Sequence, residues 1–258
     1  MNVASTDFLI AGALGIGPGL VFLFHALRKY DLPHVEVPAF DSSRVFMLFA
    51  VGMIFGGVSS FLSFAMIAPS LQLLMLLLML IVIALFEELF KMVVTNLKRF
   101  QLKKETTFYG LSLGLGMTAV SMVFVAGYII VVPSGAEAAP IDTLTLVGIY
   151  TLIGTYSVSM CALQASTGSF IGHGAATGYV WNYFFQAMIS RAVFAVLIVP
   201  FLGIGNFWVG LFSLIAAAVF SFFLYIHTYY RILPEALPEK AKKRRRREIR
   251  KMRISSKD

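Results

Sequence analysis

Apolar residues fall in long, nearly unbroken runs, not in the three-and-four spacing of a surface helix or the alternation of a half-buried strand. Runs at 8–27, 44–67, 71–86 and 107–132 approach or exceed the roughly 20 residues that cross a hydrocarbon layer. The breaks between them are polar. Arg28-Lys29 leads into a loop at 30–43, Pro69 marks a tight turn, and a loop at 96–106 holds Lys98, Arg99, Lys103 and Lys104. A further loop at 133–142 carries Pro133, Glu137, Pro140 and Asp142. The pattern predicts an all-α, polytopic transmembrane helix bundle.

Hydropathy places four more candidate spans at 143–162, 164–184, 188–205 and 207–230, which makes eight. No basic residue precedes the first run and two follow it, so the positive-inside rule sets the N-terminus outside and the 96–106 loop in the cytoplasm. A cytoplasmic basic tail then requires an odd number of crossings. Seven spans are expected, with eight as the alternative, and 188–205 is the weakest candidate because it contains Pro200 and Gly203. The first run lacks the positive n-region of a cleavable signal and reads as a retained span.

Composition agrees. The chain is 59% hydrophobic and 13% charged, against about 25% charged in soluble domains. That excludes a soluble enzyme, a fibrous protein and a disulfide-built secreted domain. Cys161 is the single cysteine, so no intramolecular disulfide or Cys-rich metal site is available. With no His-Glu-x-x-His pattern either, no metal and no cofactor are expected.

The net charge of +8 belongs to the tail: residues 231–258 hold 12 Lys and Arg against 4 Asp and Glu, and residues 1–230 hold nine of each. The chain therefore divides into a helical domain at 1–230 and a flexible basic cytoplasmic tail at 231–258. Anionic lipid is the expected partner of the tail, and RNA or the ribosome a second one.

Two places carry candidate chemistry. Glu87 and Glu88 follow sixteen residues whose only strongly polar side chain is Gln72, and a carboxylate in hydrocarbon needs a partner or water. Lys91 lies four residues beyond Glu87, which predicts a Glu87–Lys91 pair and leaves Glu88 unpaired. A free carboxylate of this kind suits a general base acting on water. The second place is His173, set among Gly168, Gly172, Gly174 and Gly178. These glycines, with Gly52 and Gly56 and with Gly110, Gly114 and Gly116, read as helix-packing positions that let backbones approach closely.

Glu87-Glu88-Leu89-Phe90-Lys91 resembles the Glu-Glu-x-x-Lys motif of the PrsW family of membrane proteases, which is similar to the type II CAAX prenyl endopeptidases. The run from Phe108 and Tyr109 through Gly110, Gly114 and Gly116 to Ala119 resembles that family's second motif, and His173 with Thr177 its third. The resemblance implies a glutamate-dependent intramembrane endopeptidase that cleaves membrane-protein substrates. It makes Glu88, with Glu87, the activator of water and His173 a proton donor or oxyanion partner. Thr118, Ser121 and Thr177 are implied as further hydrogen-bonding groups. Ser121-Met122 stands where the family has Glu-Asn, and 192–210 contains no late histidine. Those departures carry the alternative expectation, an inactive relative acting as a membrane scaffold or assembly factor. Either way the expected location is the cell membrane, multi-pass.

Overall fold

The computed structural model describes residues 6–30, 39–66, 72–131 and 143–237. Seven long helices make up nearly all of it: α1 (Thr6–Arg28), α2 (Ser42–Met66), α3 (Leu73–Thr95), α4 (Thr106–Val131), α5 (Thr143–Thr177), α6 (Val180–Gly203) and α7 (Phe207–His227). A π-helical turn, Thr228–Ile232, and a short helical turn, Leu233–Glu235, follow α7. Helices α2 to α7 are each long and apolar enough to cross a membrane, while the apolar part of α1 among the described residues is the shorter Gly12–Arg28.

Two of the expected spans, 143–162 and 164–184, are one helix over most of their length. The 35 residues of α5 extend about 52 Å at 1.5 Å per residue. Its dense hydroxyl run does not break it because the hydroxyls bond to the helix's own carbonyls: Ser159 to Thr155, Ser166 to Ala162 and Ser169 to Ala165, each one turn back. The merger therefore falls here and not at 188–205. That stretch lies almost wholly within α6, where Pro200 sits in the last turn and its carbonyl accepts from the Ile204 N–H.

Helix α4 is the centre of the bundle, buried at every position from 106 to 119. Glycine makes that possible. A Cβ at Gly110 would collide with the Gly168 carbonyl and the Gly172 backbone on α5, and one at Gly52 or Gly116 with the α4 or α2 backbone. α1 approaches the same helix through Gly15 and Gly19. Gly110 and Gly114 thus join α4 to Gly168 and Gly172 of α5, while Gly116 meets α2. Helices α3, α6 and α7 form a second layer against α5. Gly178 differs from the other expected packing positions. It ends α5 at φ +85°, with its N–H bonded to the Gly174 carbonyl, and serves as a left-handed helix stop.

One end of the bundle gathers the C-terminal ends of α1, α3, α5 and α7 with the N-terminal ends of α2, α4 and α6. Contacts there include the Asp41 N–H to the Tyr109 hydroxyl, the Leu102 N–H to the Ala175 carbonyl, and Lys29 over the Tyr229 ring. Arg28, Lys29, Arg44, Lys98, Arg99, Lys103, Lys104 and Arg231 all fall at this end. Residues 231–237 also pack here, with Leu233, Ala236 and Leu237 buried beside Tyr30, Phe100 and Phe108. The rest of the basic tail, 238–258, lies outside the described residues.

Candidate functional site

Helix α3 turns its only three charged side chains inward. Glu87 is 5% exposed, and Glu88 and Lys91 are fully buried. Charges at this depth require compensation, and three neighbouring helices supply it. Ser59 comes from α2, Gln164 and Thr167 from α5, and Arg191 from the middle of α6.

The pairing differs from the expected one. Lys91 bonds Glu88 at i,i+3, Nζ to Oε1 2.7 Å, and not Glu87 at i,i+4. Glu87 points instead towards α2, α5 and α6, where its Oε1 accepts from Ser59 at 3.2 Å and its Oε2 from Gln164 at 2.7 Å and from Arg191. Adjacent residues on a helix diverge by about 100°, so the two acids face different neighbours and each takes its own cation. Arg191 reaches both carboxylates, since its Nε lies 3.6 Å from the Glu88 Oε1.

Counting donors against acceptors separates the roles of the four ionic groups. Lys91 has three N–H bonds and three acceptors: Glu88, Gln164 and Thr167. Both oxygens of Glu87 are occupied. On Glu88, Oε1 accepts from Lys91 and, at 3.1 Å, from Thr167, but the buried Oε2 has no hydrogen-bond partner among the described residues. Glu88 is thus the acid with a lone pair left to act on something else. The formal charge of the cluster is zero, two carboxylates against two cations, which is what makes its burial tolerable.

Four of these residues were not singled out from sequence. Arg191 gave the clearest missed signal, a lone basic residue in the apolar run 188–205. Gln164 and Thr167 are hidden in the hydroxyl-rich stretch of α5, and Ser59 gives no signal that separates it from other small residues of α2.

The structure does not place the remaining expected residues in this cluster. His173 lies six residues beyond Thr167 on α5, about 9 Å of helical rise towards the basic end. Its contacts there include Thr107 at 3.5 Å from Nδ1, the edge of Tyr183, and the Glu235 carboxylate at 3.6 Å from Nε2. The hydroxyls of Thr118, Ser121 and Thr177 donate to the main-chain carbonyls of Gly114, Gly56 and His173.

Compared with known proteins, the chain matches no family model, no curated protein and no solved structure.

Proposed function

We propose that this protein is a membrane-embedded, glutamate-dependent endopeptidase in which Glu88 is the general base. The observation that carries the reading is the unpartnered Glu88 Oε2, a buried carboxylate oxygen held in place by Lys91 and Thr167 through its other oxygen. A water bonded to that oxygen would lose a proton to it while attacking a peptide carbonyl, and Glu88 would return the proton to the departing amine. The resemblance of Glu87-Glu88-Leu89-Phe90-Lys91 to the PrsW motif supports the same assignment. His173, set towards the basic end, would reach this centre only through a relay or a turn of α5, so the reading rests on Glu88. The positive-inside rule puts the basic end, and with it the tail, in the cytoplasm.

A second reading is favoured by a different observation. Every charge in the cluster is balanced, and His173 sits on Glu235, as would suit a scaffold whose ionic network only fixes helix packing. The two readings separate in one comparison of wild type with Glu88→Gln. The peptidase loses its cleavage products while still folding. The scaffold keeps its co-purifying membrane partner and shows no cleavage in either form.

A further inference from the structure

Arg191 stands twelfth of the 24 residues of α6, the depth at which a guanidinium is most expensive to bury. Neutralising Glu87 would account for one end of it, and a lysine could do that as well. The remainder of the group is harder to explain as structure. Among the described residues, NH1 faces only the Met160 sulfur at 3.9 Å, and the buried Nε has no hydrogen-bond acceptor. Its nearest carboxylate contact, 3.6 Å to the Glu88 Oε1, is too long for a hydrogen bond.

The cluster therefore contains one unmet donor, Arg191 Nε–H, and one unmet acceptor, Glu88 Oε2, on two side chains already in contact. Lys91 cannot serve the second because its three donors are engaged. Buried polar atoms are paired with protein or ordered water in nearly all cases, and a water accepting from Nε–H while donating to Oε2 satisfies both. We infer that Arg191 is a positioning residue that fixes the attacking water on Glu88, an assignment that rests on the peptidase reading. In that step a water O–H bond breaks with the proton going to Oε2, the oxygen bonds the substrate carbonyl carbon, and the C=O π pair moves onto the carbonyl oxygen. That pair re-forms the C=O bond as the C–N bond breaks and Glu88 passes the proton to the amine. The Arg191 guanidinium remains charged throughout and keeps the water's lone pair directed away from Glu88.

The test compares full-length wild type with Arg191→Lys and Arg191→Gln in native membranes, reading both new membrane-protein N-termini and the thermal midpoint of each purified protein. Arg191→Lys keeps the ion pair with Glu87 and so keeps its midpoint, but it loses the Nε–H and should cut at least about 100-fold more slowly, the usual effect of removing one aligned donor. Arg191→Gln should lose both stability and cleavage. Cleavage by Arg191→Lys at the wild-type rate overturns the inference while leaving Glu88 as the base. If wild type itself cuts nothing, the peptidase reading fails separately. A structure of the wild-type protein at a resolution that shows ordered water then decides the site. Density within hydrogen-bonding distance of both Arg191 Nε and Glu88 Oε2 supports it. A direct bond between them, or density bonded to neither, refutes it whether or not the variants fold.

Discussion

Removing the ammonium group of Lys91 tests whether the cluster is held by charge balance. Lys91 is fully buried and bonded to Glu88, Gln164 and Thr167. Lys91→Met would leave two buried carboxylates facing one guanidinium, and breaking a buried pair from one side costs about 3–5 kcal/mol. At roughly 2–4 °C per kcal/mol for a chain of this size, the midpoint should fall by roughly 6–20 °C. Glu88→Gln unbalances the cluster in the opposite sense and should cost a similar amount. The double variant Glu88→Gln/Lys91→Met is neutral again. Only the Gln164 and Thr167 contacts are then lost, at about 1 kcal/mol each, so it should be more stable than either single variant. The protein offers its own reporter for the measurement. Cys161 is the single cysteine and is fully buried, so a thiol-reactive fluorophore reads unfolding directly in detergent. A double variant that loses the sum of the two single losses would refute the coupling and the charge-balance argument with it.

Other outcomes follow from the same geometry. Gly110→Ala places a methyl group against the Gly168 carbonyl and should lower stability by about 1–3 kcal/mol, whereas Gly12→Ala, inside α1 with no described atom near the added methyl, should hold the melting midpoint or raise it, by up to about 1 kcal/mol of helix propensity. Asn206 caps α7 by accepting from the Trp208 and Val209 N–H groups, so Asn206→Ala should cost about 1 kcal/mol in the same thermal assay. Glu87→Gln should weaken the fold yet retain measurable cleavage, because both Glu87 oxygens are already engaged. Equal loss of cleavage in Glu87→Gln and Glu88→Gln would show that the two acids do not divide the roles as the donor count assigns them.

The helical bundle was legible because apolar runs of membrane length admit few alternatives, and in the structure Gly110, Gly114, Gly168 and Gly172 bring two backbones into close approach. The partner of that contact was not legible. Small residues show that some helix approaches, not which one. Hydropathy broke α5 in two because it counts hydroxyls as polar without seeing that a serine can bond the carbonyl four residues back. The candidate acids were visible as charges in hydrocarbon, and Arg191 carried the same signal unread. Which carboxylate took which cation was beyond reach. Glu87 and Glu88 differ by one residue, and their partners come from α2, α5 and α6, positions fixed only by the tertiary packing.

The most direct test of the account is a comparison of membrane-protein N-termini by peptide mass spectrometry in cells carrying wild type or Glu88→Gln, with both proteins confirmed folded and present at equal level. A set of new N-termini that occurs only with wild type is expected, and it identifies the substrate as it appears. Identical profiles from the two folded proteins would contradict the assignment of Glu88 as a general base and leave the buried cluster as a device for helix packing alone.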